Sequence, residues 1–257
     1  MSINEYMDTR CLLYENAPPF RLLFWHWRRL YMKTTSIYGL ALIIGSIGLT
    51  VTMIFHPTGT DIQSVSAGNT HAVQIAILTH SLAIGSIPLC FFGFLGLSRI
   101  LGSKRPAIQG ALILLGLSYI AGMCAAVYSG FGSTSLAKQI LKTSDASSSQ
   151  ILQSMLQYNG YLNQGFAKVM FVSLAASIVV WSACLLRFQV TEKLMGIAGI
   201  LIGGAGLATF LIGTLRLDVH GFGIFVFAQT VWTISLGLWM VQMRKGRDPD
   251  DKLLPIN

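Results

Sequence analysis

Between Ala72 and Arg105 the chain reads AVQIAILTHSLAIGSIPLCFFGFLGLSRILGSKR, an apolar run closed by Arg99, Lys104 and Arg105. A helix needs roughly 20 predominantly apolar residues to cross a bilayer. Residues 72–98 exceed that length without one Asp, Glu, Lys or Arg. Five other stretches of the same kind flank it, at 35–55, 107–129, 160–186, 194–214 and 220–243.

Composition agrees. Of 257 residues, 53% are hydrophobic and 11% charged, and the mean hydropathy is +0.61. Soluble domains carry about 25% charged residues, so this chain lacks the polar groups to cover a water-facing surface. The expected fold is all-α: a polytopic membrane helical bundle of six transmembrane helices, with the lipid bilayer as its first partner. Gly45/Gly48, Ser118/Gly122/Ala126 and the Gly199–Gly203 pair are small residues at helical spacing, which lets membrane helices approach closely. No strand precedes these glycines, so they do not read as a dinucleotide fingerprint.

The cations set the orientation. Arg10, Arg21, Arg28, Arg29 and Lys33 precede the first span. Arg99, Lys104 and Arg105 follow the second, and Arg187 and Lys193 follow the fourth. Arg244, Lys245, Arg247 and Lys252 follow the sixth. These make 14 of the 18 Lys and Arg residues; Lys138, Lys142, Lys168 and Arg216 are the remainder. The Lys/Arg-rich side of a membrane protein is cytoplasmic, which places both the N- and C-termini there. The net charge of +8 is thereby spent on topology. No basic segment is interleaved with aromatics on a soluble face, so no nucleic-acid partner is expected.

Three regions lie outside the spans. Residues 1–33 contain FRLLFWHWRRLYMK at 20–33, which reads as an amphipathic interfacial helix on an anionic cytoplasmic leaflet. An equal alternative is a start of translation at Met32. No cleavable signal peptide is recognisable. The six-span domain covers 34–244, with a cytoplasmic tail at 245–257. The long outer connection, 131–159, carries Ser147 and Gln150 in a capping-box-like pair, then Ile151, Leu152, Met155 and Leu156 at helical spacing. An amphipathic helix is expected there, lying on the outer surface or extending span 4 outward. His71–Leu89 also aligns with His220–Leu238 at four identities, and Gly45/Gly48 with Gly203/Gly206, a faint suggestion that hairpin 1–2 is related to hairpin 5–6.

Ionisable groups inside a bilayer are costly and therefore functional candidates. Counting about 20 residues outward from the basic flanks at ~1.5 Å per residue reaches His56, His80 and Lys168, and ends a turn inside His220. These four candidate ligand-binding residues fall in one layer at the outer edge of the hydrocarbon, contributed by spans 1, 2, 4 and 6. A His or Lys at such an edge also simply snorkels toward water. His71 and His80, nine residues apart, point to opposite sides of one helix and cannot share an ion. Pro88 frees the carbonyl of Ile84, one turn beyond His80.

Which ligand these groups take is left open. Metal binding would use two or three imidazoles with Asp61 or Asp218, although no HxxxH or HExxH spacing occurs. Bis-histidine haem would need two facing imidazoles, His80 with His220 or His56. A small-solute transporter would need midplane polar groups and broken helices, and the spans offer little there beyond Ser and Thr. No nucleophile–base pair, paired carboxylates or phosphate-binding loop appears, so the chain leans away from enzymes. Cys90, Cys124 and Cys184 lie inside spans and Cys11 near the N-terminus, without CxxC spacing. They read as small hydrophobes.

HPTGTD at 56–61 and HSLAIGSIPLCFFGFLGLSRIL at 80–101 resemble uncharacterised bacterial six-span membrane proteins with an HPxG motif after the first span, over residues 35–101. The resemblance implies residence in the bacterial plasma (inner) membrane and no particular activity. Taken together, the residues point to a non-catalytic multi-pass membrane component that binds a partner membrane protein or a lipid-like ligand. A small haem- or metal-binding protein and a transporter are the alternatives.

Overall fold

The computed structural model describes the backbone of residues 18–56, 69–214 and 219–243, and the side chains of these apart from 18–33 and 219–221. Seven α-helices account for nearly all of it. They are α1 (Pro18–Ile54), α2 (Thr70–Leu101), α3 (Pro106–Ala126), α4 (Ser133–Lys142), α5 (Ala146–Leu185), α6 (Val190–Leu211) and α7 (Val219–Gln242). A π-helical turn, Val127–Gly132, joins α3 to α4 without a break. Six rods are long and apolar enough to cross a membrane: Thr34–Ile54, Thr70–Leu101, Pro106–Lys142, Ala146–Leu185, Val190–Leu211 and Phe222–Gln242. The expected all-α bundle of six membrane spans is what the chain forms. Residues 18–33 run into the first span as one unbroken helix.

The exterior is apolar, unlike that of a soluble bundle, and hydroxyls are admitted to the interior. Ile37, Leu40, Ile44 and Ile47 on α1 face outward, as do Ile113, Leu117 and Ile120 on α3 and Leu194, Ile197 and Leu201 on α6. The interior holds Ser46, Ser86, Ser98, Ser118, Ser177, Ser182 and Thr233. Only lipid is a suitable solvent for that exterior, and only close helix approach uses that interior. The protein is an integral multi-pass membrane protein.

Small residues set the helix separations. On α6 the buried residues are Gly196, Gly199, Gly203 and Gly206, all glycine. A Cβ on Gly203 would lie 2.6 Å from the Ala175 carbonyl oxygen of α5. Gly45 presses on the Cys90 backbone and Gly122 on Met170, so the glycines read as packing devices serve as such. The aligned pairs Gly45/Gly48 and Gly203/Gly206 meet different partners. The first two pack on the following helix, Gly203 packs on the preceding one, and Gly206 meets Phe225 of the following helix as well as Phe171 of the preceding one.

Phe94 of α2 stacks on Trp181 of α5 at 4.6 Å and on Trp232 of α7 at 6.2 Å, tying three helices into one core. Hydroxyls cross-link the same centre: Ser46 donates to Thr233 (2.9 Å) and Thr50 to Thr230 (2.8 Å). Near the end of the bundle that carries Arg99, Lys104 and Arg187, here the basic end, Trp232 donates to the Met195 carbonyl (2.9 Å). Trp239 donates to Glu192 (3.0 Å), and both bonds join α6 to α7. There the Arg99 guanidinium lies 5.2 Å from the Tyr38 ring centroid and donates to its hydroxyl.

The opposite, far end is taller than a membrane requires. At ~1.5 Å per residue, α5 with its 40 residues is about 60 Å long, twice a hydrocarbon core of ~30 Å. Residues 131–159 are therefore no loop. They complete the π-turn, form α4, turn at Thr143–Asp145 and become the first turns of α5. Of the two expected arrangements, the extension of span 4 is the one adopted. The cap is also shifted: Asp145, not Ser147, is the N-cap, its carboxylate accepting from the Ser148 amide (2.9 Å) and the Ser147 hydroxyl (2.8 Å). A carboxylate competes better than a hydroxyl for the free amides of a helix start. Val73 and Ala137, with Ala72 and Ile77, make a small second core beneath this extension.

Candidate functional site

Of the four layer residues, two come together. His80 on α2 is 4% exposed, and its ring centroid lies 5.1 Å from that of His56, edge to face. Their placement follows from local chemistry. The last turn of α1 is stitched to α2 by Thr52, which donates to the Thr79 carbonyl, and by Thr79, which donates to the Phe55 carbonyl (both 3.4 Å). His56, the residue after Phe55, is thereby delivered beside His80. His71 is exposed while His80 is buried, as nine-residue spacing on one helix requires.

The imidazole of His80 is held in one tautomer. Its Nδ1 lies 2.6 Å from the Ala76 carbonyl oxygen. A carbonyl only accepts, so Nδ1 carries the hydrogen and Nε2 keeps its lone pair. That Nε2 is buried and has no hydrogen-bond partner among the described residues. Buried polar atoms are normally satisfied, so this one marks the place where chemistry is unfinished.

The third wall is the π-turn. Gly130 sits flat against the His80 ring, and a Cβ there would lie 2.5 Å from Cγ and 2.9 Å from Nδ1. A π-turn shifts carbonyls out of the regular ladder, and side chains collect them here. Thr134 donates to the Gly130 carbonyl (2.7 Å). Asn159 of α5, itself buried, donates to the Tyr128 carbonyl (2.7 Å) and to the Ser133 hydroxyl (2.8 Å). Tyr128 stacks on Phe166 at 5.6 Å. Such π-turns recur at functional sites. The layer thus comprises His56, His80, Gly130 and Asn159, from spans 1, 2, 3 and 4.

Lys168 is not part of it. It is exposed on α5, between Phe166, which stacks on Tyr128, and Met170, which meets Gly122. That register puts Lys168 one to two helical turns, ~9 Å, closer to the basic end than Gly130. Its side chain is exposed and points out of the bundle. The side chain of His220 lies outside the described residues, as do Asp61 and Asp218.

Two imidazoles meeting edge to face are not the facing pair that axial haem ligation takes. Among the described residues no group of three His, Cys, Asp or Glu side chains assembles into a metal cage. Gly130, Thr134 and Asn159 were not singled out from sequence. The signal for them was the run YSGFGSTS at 128–135, where glycines and hydroxyls interrupt an apolar helix. No family model, curated protein or solved structure matches the chain.

Proposed function

We propose that the protein is a non-catalytic component of a bacterial plasma membrane, with both termini cytoplasmic, that binds another membrane protein along the outer half of α5. The observation that carries this reading is one exposed half of that helix. Ile151, Met155 and Tyr158 are exposed at 63%, 51% and 64% on the part that rises beyond the span. Beside them an exposed stripe of Gln157, Tyr161, Gln164 and Lys168 descends into the span. Water is a poor solvent for the first stripe, and lipid is a poor solvent for the second. A partner that itself crosses the membrane surface suits both at once. Gly160 and Gly165, on the same stretch, meet nothing of their own chain within 4 Å, which leaves room for a second helix to approach.

Photo-crosslinking in intact cells tests this, with a photoreactive phenylalanine at Met155, at Gln164 and, as control, at lipid-facing Ile113. The expected result is one discrete protein adduct shared by positions 155 and 164 and absent at 113. Adducts to lipid alone, or to a second copy of this chain, would overturn it.

A further inference from the structure

We infer that His80 and His56 form a binding site for a first-row transition-metal ion that favours imidazole, of the Zn²⁺ or Cu⁺ type, at the far-end rim of the bundle. The inference is independent of the partner-binding reading, because it rests on different residues. Three observations converge on it. The first is the tautomer: a metal-ligating histidine characteristically donates its other ring N–H to a backbone carbonyl, which fixes the ring and raises its basicity. His80 makes that bond, Nδ1 to the Ala76 oxygen at 2.6 Å.

The second is the orphaned atom. His80 Nε2 is buried without a partner among the described residues, and its ring meets that of His56 edge to face. A lone pair held inside protein, beside a second imidazole, is the donor set such ions select. The third is spacing. Two imidazoles on one tetrahedral ion, with metal–nitrogen bonds of about 2.0–2.1 Å, place their ring centroids about 5 Å apart. The observed separation is 5.1 Å.

Among the described residues no third His, Cys, Asp or Glu side chain joins the pair. His56 is only half-buried and supplies the way in. The π-turn contributes shape: Gly130 without a side chain is what allows the His80 ring its position.

The test uses the full chain, purified in detergent and stripped with a chelator, and Zn²⁺ alone as the probe. The expected result is one ion per chain by equilibrium dialysis with elemental analysis. Affinity should fall about tenfold or more in His80→Gln and in His56→Gln and stay unchanged in His71→Gln. X-ray absorption at the zinc edge of the unaltered chain should show two imidazoles, a readout that needs no variant to fold. No uptake, uptake indifferent to both substitutions, or fewer than two imidazoles on the ion would overturn the site.

Discussion

Gly130 and His80 touch so closely that a methyl group on the glycine would sit 2.5 Å from the imidazole Cγ. The contact joins the π-turn of span 3 to the buried histidine of span 2, and it explains why that position bears no side chain. A helical glycine with open space around it gains about 0.4–1 kcal/mol on conversion to alanine, whereas overpacking a filled site costs about 1–3 kcal/mol. Gly130→Ala is therefore expected to destabilise by that larger amount. Gly160→Ala, which meets nothing within 4 Å, should be neutral or slightly stabilising. Reversible unfolding in mixed detergent micelles separates the two, and equal effects would refute the packing argument.

Asn159 holds the π-turn in place by donating to Tyr128 O and Ser133 Oγ. Removing it strands buried acceptors, at about 1–3 kcal/mol. Asn159→Ala should accelerate amide hydrogen exchange across residues 127–134 while leaving the distant segment 195–206 as it was. Uniform acceleration of both would mean a global loss, with no specific role in the turn.

The glycine seam of α6 makes a sharper contrast. A side chain at Gly199 would collide with the Ser182 hydroxyl and lie 2.7 Å from Trp232 Nε1, while Gly204 faces open space. Gly199→Leu is expected to dislodge α6, seen as a shift of Trp232 fluorescence and faster proteolysis between α6 and α7. Gly204→Leu should leave both measurements unchanged, because its side chain would enter lipid.

Asp145 gives the outer hairpin a pH dependence. Hydrogen bonds from the Ser148 and Ser147 hydroxyls and from the Ser148 amide hold its carboxyl well below the ordinary 3.8. A carboxylate whose folded value is depressed stabilises above its unfolded value, and loses that contribution as the pH falls through the folded one. The cap should thus be constant from neutral pH down to about 4 and disappear only in stronger acid. Asp145→Ala should raise hydrogen exchange at residues 146–149 at neutral pH, and the difference from the unaltered chain should vanish at the acid end. A difference that persists there would assign the effect to something other than the carboxylate.

Much of this architecture was legible from residue order. Six spans follow from apolar length, because a bilayer imposes one requirement on every helix that crosses it. The glycine pairs were readable because a missing side chain has one dominant use between membrane helices. The opposition of His71 and His80 is helical arithmetic. A count along one helix does not say what a residue meets on another. Lys168 has a depth counted from Arg187, but only its exposure in the structure shows that it points out of the bundle. In the outer connection the capping-box-like pair and the helical spacing of its apolar residues pointed to a helix, but only the structure decided that it lengthens span 4 rather than lying on the surface.

Hydrophobic length and charge asymmetry alone thus determined that this chain is a six-span membrane bundle, since both act through local contact with lipid and water. Tertiary packing decided the rest. It brought His56 to His80, pressed Gly130 against the His80 ring, and left one imidazole nitrogen buried without a partner among the described residues. Those are relations between residues distant in the chain, set by helix stagger and by a π-turn, which no single helix encodes.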